Sequence, residues 1–301
     1  MCEKKSLIVI NYDNTYCYNF NKVDGFIYNS YEYSNYPSQT YSLNDLISLN
    51  YPLNKLKFLN IDRIIDEEEI DDLKEYLSKV YDIFDYFIYS DYSIYTLFKE
   101  MFGNIAINKL IYDSKTLVCS YQELDKIPTK SFISSELSYE EVQTIINNSS
   151  DKKLCLNVFG FHQIMYSKRP LLSLYNDYIK NKIFNKNLVF NENTLYDLKE
   201  ELRDDKYKII EKEKGCYIYA PYLVSYKKYL DNLSEKVFLI RINNAIEFID
   251  NDNLNKVINK YIDYINYEKV DINFEDVNLK MEIKEGFLTE KLYLLKGDND
   301  E

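Results

Sequence analysis

The chain holds one histidine, His162, and it is the only side chain whose unperturbed pKa, near ~6.5, suits proton transfer around neutrality. It lies between two other reactive groups. Glu136 stands upstream, just after an apolar run, and the basic pair Lys168-Arg169 follows downstream. An arginine fork beside a lysine is suited to clamping a carboxylate or phosphate. Glu136 is placed to orient that arginine, so His162 and Glu136 are the catalytic candidates. Asn60, Asp91, Asp113 and Arg241 end other apolar runs and join Lys168 and Arg169 as candidates for holding a substrate or anion. Each also has a plainer reading. His162 could pack in a loop, Glu136 could complement a helix dipole, Asp91 and Asp113 could cap helices, and Lys168-Arg169 could be a solvated turn.

These residues must be positioned by the apolar runs that precede them. Eight candidate strands follow one another: Leu7–Ile10, Phe26–Tyr28, Leu56–Leu59, Tyr86–Tyr89, Lys109–Tyr112, Ser131–Ser134, Leu154–Phe159 and Val237–Ile242. They lack strict alternation, as expected of parallel strands buried on both faces. Helical patterns lie between them at Glu67–Val80, Ile94–Met101, Tyr139–Asn147 and Leu254–Ile265. Asp66 with Glu69 and Ser138 supply start signals for two of these. The alternation predicts an α/β fold, a TIM-like (β/α)8 barrel, whose chemistry would gather at the C-terminal ends of its strands.

The pattern is irregular in its first two units, and residues 31–54 read as a loop or small hairpin. The seventh strand is expected to break at Gly160, leaving His162 in a loop. An insertion of about 166–233 separates strands seven and eight and reads as a β-hairpin turning at Lys214-Gly215. With six Gly and five Pro in 301 residues there is no linker signature, so one domain over 1–301 is expected.

Composition narrows the classes. The net charge is −12, which argues against direct binding of bulk nucleic acid. The five cysteines are odd in number and scattered, without C-x-x-C, as in a reducing compartment. No apolar run approaches the ~20 residues of a membrane span, and a cytoplasmic protein is expected. A G-x-S-x-G elbow, H-E-x-x-H, G-x-G-x-x-G and a P-loop are all missing. No metal site is expected. The 32 tyrosines and the lack of Trp fit a codon bias and carry no function.

The order of several motifs resembles the peptidase U32 family, the collagenase-like proteases. They are Ser134-Ser135-Glu136-Leu137-Ser138, the strand before Gly160, and Ser167-Lys168-Arg169-Pro170-Leu171-Leu172. Further along come Leu202-Arg203, Lys206-Tyr207-Lys208-Ile209, Glu213 with Gly215 and Tyr217–Tyr219, and Gly286-Phe287-Leu288. Upstream, Val23-Asp24-Gly25-Phe26 and Asn60 with Ile64 to Glu69 fit as well. The resemblance spans roughly residues 6–295 and is nearest to the short Firmicute-type members.

It implies a barrel, and in the redox members an iron–sulfur cluster on four cysteines. Here two of those positions read Gln163 and Pro170, a third reads approximately Val224, and nothing near Asn187 is a cysteine. Thiolates are the usual cluster ligands, so the chain is read as a degenerate member with no cofactor. A histidine common after the seventh strand reads Phe159, and an acid common on the eighth reads Arg241. The implied function is that of a cluster-free accessory subunit in hydroxylation of the tRNA wobble uridine. Its partner would be a longer, cysteine-bearing U32 paralogue, with tRNA reached through the complex and neither DNA nor membrane bound. The alternatives are a U32-type peptidase or hydrolase, and a non-catalytic binding or structural remnant of the barrel.

Overall fold

The computed structural model describes residues 6–13, 22–35, 39–149, 153–182, 190–191, 194–199, 201, 206–212, 215–230, 236–243, 250–267, 272–279 and 281–289. Eight parallel strands close into a barrel: β1 (Leu7–Asn11), β2 (Gly25–Asn29), β3 (Leu56–Ile61), β4 (Tyr86–Tyr89), β5 (Leu110–Tyr112), β6 (Lys130–Phe132), the first half of β7 (Leu154–Ser167), and β11 (Val237–Ile242). β11 pairs with both β7 and β1, which completes the ring. The expected TIM-like barrel is therefore present.

Helices α1 (Leu43–Ser48), α2 (Ile70–Val80), α3 (Tyr92–Phe102), α4 (Tyr121–Lys126) and α5 (Tyr139–Asn148) connect successive strands. α2 turns Leu73, Tyr76, Leu77 and Val80 to the core, so its apolar stripe drives its docking. A 3-10 turn at Glu67–Glu69 precedes it, with the Asp66 N–H donating to Glu69 Oε2 at 3.1 Å. Ser138 and Glu141 form a reciprocal capping box on α5. The stretch expected to be loop or hairpin instead contains α1, started by a Ser42–Asp45 capping box.

Inside the barrel, each strand contributes one residue to an apolar plug: Val9, Ile27, Phe58, Ile88, Ile111, Phe132, Cys155 and Leu239. Side chains in a strand repeat their direction every second residue. Two positions further along each sequence the residues are Asn11, Asn29, Asn60, Ser90, Asp113, Ser134, Asn157 and Arg241. The barrel thus changes from wholly apolar to wholly polar in one step at its C-terminal mouth.

Several strand boundaries differ from expectation by one or two residues, and two of the differences bear on the site. The sixth strand ends at Phe132, and Ser134 lies just beyond it. The seventh does not break at Gly160 but runs on to Ser167. Gly160 adopts φ 125°, and an added Cβ would lie 2.4 Å from Asn243 Cβ. Glycine is needed there because the strand bends against the chain leaving β11.

Beyond Gly160, β7 pairs antiparallel with β10 (Gly215–Ser225), which pairs with β9 (Lys206–Lys212), which pairs with β8 (Leu195–Lys199). The expected hairpin is thus part of a larger appended sheet; Asn187, Leu202, Arg203, Glu213 and Lys214 lie outside the described residues. β12 (Ile283–Lys284) adds to β10 in parallel. Helix α6 (Leu171–Lys182) docks on this sheet through Glu211, whose carboxylate accepts from the Leu172 N–H at 2.7 Å. Helix α7 (Asn251–Tyr267) follows β11 and buries Leu254, Val257, Ile258, Tyr261 and Ile262.

Candidate functional site

An open cleft lies at the barrel mouth. Its walls come from the polar layer (Asn11, Asn60, Asn157, Arg241), from the β7 extension (Phe161, His162, Gln163), and from β10 (Tyr219, Val224).

At its floor are four charges. Asp113 Oδ2 accepts from Arg241 Nη2 at 2.7 Å and from Lys115 Nζ at 2.9 Å. Lys115 Nζ also reaches Asp62 Oδ2 at 2.8 Å. Asp62 Oδ1 accepts from the Asn35 N–H at 2.9 Å and from Ser34 Oγ at 3.0 Å. Arg241 Nε donates to Asn157, and its guanidinium lies 4.1 Å from the centre of the Phe132 ring, the top of the apolar plug. Burial alone would push both acids up, but Arg241 and Lys115 outweigh it and hold Asp113 well below the usual carboxylate range. Lys115 does the same for Asp62. Burial would pull Lys115 down, yet Asp113 and Asp62 raise it. Asp62, Asp113 and Lys115 are therefore ionised, and with the guanidinium of Arg241 the cluster sums to zero charge.

Lys115 reaches this position because its backbone is left-handed, φ 67°, which non-glycine residues seldom adopt. The turn aims the chain leaving β5 back over the mouth.

His162 is 3% exposed. Its Nδ1 lies 2.7 Å from Ser135 Oγ, and its Nε2 is buried without a partner. Burial lowers its pKa to about 4, so the imidazole is neutral at physiological pH. Ser135 is held in turn by Tyr226, whose hydroxyl donates to the Ser135 carbonyl at 2.7 Å. Asn60 donates through Nδ2 to Asn29 Oδ1 and Ser34 Oγ, both at 3.0 Å, while its Oδ1 is also buried without a partner.

Of the residues singled out in the sequence, Asn60, His162 and Arg241 meet at the cleft, with Asp113 beneath them. Four do not line it. Asp91 caps α3, accepting from the Ser93 N–H at 2.8 Å, and its second oxygen takes the Ile65 N–H at 3.0 Å. Lys168 and Arg169 form an exposed turn, and Lys168 pairs with Asp66. Glu136 sits half-buried at the start of the α5 turn, its N–H donating to Ser134 Oγ at 3.2 Å. His162 lies on a strand, not in the expected loop. Sequence reasoning did not single out Lys115. It did not single out Asp62 either, and Ser135 entered only through the run Ser134-Ser135-Glu136-Leu137-Ser138.

Among the described residues the side chains at the cleft are not iron–sulfur ligands, and Cys2 and Cys17 lie outside those residues. Gln163 lines the cleft and Pro170 starts the α6 turn, where the resemblance implies thiolates. Cys155 belongs to the apolar plug, Cys216 is buried against α6, and Cys119 is exposed elsewhere. Among the described residues no group of three or more His, Cys, Asp or Glu side chains converges to hold a metal. No helix among them is long and apolar enough to cross a membrane.

A closed barrel with a polar mouth defines the class. Within it, the profile of Peptidase family U32 matches residues 41–267, well over half of the chain, and the protein belongs to that family. Two of the motifs that carry the resemblance, Val23-Asp24-Gly25-Phe26 and Gly286-Phe287-Leu288, lie outside the matched span. No curated protein matches. Among solved structures, a GH18 chitinase from Cycas revoluta in complex with (GlcNAc)3 superposes with a TM-score of 0.39 at 8% identity, covering 86% of this chain and 98% of its own. A doubly substituted mutant of the same chitinase, in complex with (GlcNAc)4, gives 0.38 at 8% identity, with the same coverage. So slight a likeness carries no argument about chemistry.

Proposed function

We propose that this U32 protein binds a small polar metabolite at its barrel mouth and serves as the cluster-free accessory subunit of a longer, cysteine-bearing paralogue in hydroxylating the tRNA wobble uridine. The observation that carries the reading is the intact, charge-balanced cleft standing beside Gln163 and Pro170. The cleft offers a polar lining for a ligand, and two positions where the resemblance implies thiolates read Gln163 and Pro170. The partner would supply the cluster, and also the positive charge for RNA, which a chain of net charge −12 lacks. Co-purification with the paralogue and wobble-uridine mass spectrometry after deletion test the reading. Loss of the modified uridine is expected, and an unchanged level overturns it.

One observation favours a second reading, a hydrolase. Ser135 Oγ and His162 Nδ1 are within hydrogen-bond reach, the geometry of a nucleophile and its base. A base with its pKa lowered to about 4 is a weak one, which ranks this reading lower. Peptide turnover that disappears in Ser135→Ala would establish it, and no turnover by the wild-type chain would remove it.

A further inference from the structure

Buried polar atoms in folded proteins nearly always have a hydrogen-bond partner, and leaving one without costs about 1–3 kcal/mol. Two such atoms, His162 Nε2 and Asn60 Oδ1, belong to side chains that line the same cleft and are each 3% exposed. Their chemistry is complementary. Asn60 gives both described hydrogen bonds through Nδ2, so Oδ1 is an acceptor. With Ser135 Oγ–H donating to Nδ1, the neutral imidazole carries its proton on Nε2, a donor; the reverse direction would make Nε2 an acceptor.

We propose that His162 Nε2–H and Asn60 Oδ1 are the two polar ends of a ligand subsite for a small hydroxy-carbonyl compound, neutral or singly negative. The carbonyl or carboxylate oxygen accepts from His162, and the hydroxyl donates to Asn60. The charge limit follows from the floor. Asp62 and Asp113 cancel Lys115 and Arg241, and Lys212, whose charge also acts on Asp62, adds one positive charge, enough to offset one negative charge and not two. Phe159, Phe161 and Val224 form the apolar part of the wall and add no charge. The proposal rests on the reading of the mouth as a metabolite site and is independent of the partner and of tRNA.

Because His162 is the only histidine, it gives a single imidazole signal when the full chain is labelled with ¹⁵N-histidine. Long-range ¹H–¹⁵N spectra of the wild-type chain should show Nε2 protonated and Nδ1 bare. The reverse pattern overturns the proposal. Titration with glycolamide, glycolate, tartronate and acetamide, each to tens of millimolar, then tests the ligand class. Glycolamide and glycolate should shift the Nε2 resonance saturably. Acetamide, lacking the hydroxyl, should bind about tenfold more weakly, as expected for one hydrogen bond lost at a buried acceptor. Tartronate, a dianion, should leave the resonance unmoved. No saturable shift with any probe, or a tartronate shift equal to that of glycolate, overturns the assignment. Loss of wobble-uridine hydroxylation on deletion, with no probe shift, would sink this subsite and leave the accessory reading standing. The converse result would do the opposite.

Discussion

Arg241 Nη2 lies 2.7 Å from Asp113 Oδ2, joining the eighth barrel strand to the fifth across the mouth. Both side chains are buried, so removing one strands the other. Asp113→Leu should cost about 3–5 kcal/mol in urea unfolding, the usual cost of a broken buried pair. The double variant Asp113→Leu/Arg241→Met should recover much of that loss, because Lys115 keeps Asp62. A double variant no more stable than the single one would contradict this account of the charge cluster.

Between pH 6.5 and 4 the stability profile should carry a limb that belongs to His162. Its pKa falls from 6.5 to about 4 on folding. Below pH 6.5 the unfolded chain takes a proton that the native chain refuses, so this contribution drops as pH falls and is complete by pH 4, below which the depressed Asp113 and Asp62 carry the further loss. The full effect is about 3 kcal/mol. His162→Gln should flatten this limb between pH 6.5 and 4 in denaturant titrations. An unchanged slope would show that the imidazole is not held neutral.

Gly160→Ala should destabilise by about 1–3 kcal/mol, because φ 125° is strained for any side chain and the new Cβ would meet Asn243. The measurement is the thermal midpoint, together with the His162 imidazole resonance, which should move even in the folded variant. Gly103, also at positive φ, has open space at its Cβ position, so Gly103→Ala isolates the backbone cost from the clash.

Thiol labelling should separate the described cysteines. Cys155 sits in the apolar plug and burial pushes its pKa well up, and Cys216 is buried against α6. Both should resist alkylation in the native chain, while Cys119 is modified first. Rapid native labelling of Cys155, read by peptide mass spectrometry, would be incompatible with a closed barrel.

The strands, most helices and the polar exits were legible because they depend on local pattern. Val9 and Asn11, or Phe58 and Asn60, are separated by one pleat, and their types alone announce an apolar plug under a polar rim. What was not legible depends on long-range packing. Lys115 reads as an ordinary loop lysine; only the fold brings it to Asp62, from a strand two positions away around the ring. Gly160 reads as a strand end, and only the proximity of Asn243 explains why it lets the strand continue. Lys168 reads as half of an anion clamp, and Asp66, far upstream, engages it instead.

β7 is hydrogen-bonded to barrel neighbours along its first half and to β10 along its second. It therefore works as a drive shaft between two gear wheels, with Gly160 as its universal joint. His162 lies two residues past that joint, so the cleft's imidazole is carried by the strand that enters the appended sheet rather than by the barrel wall alone.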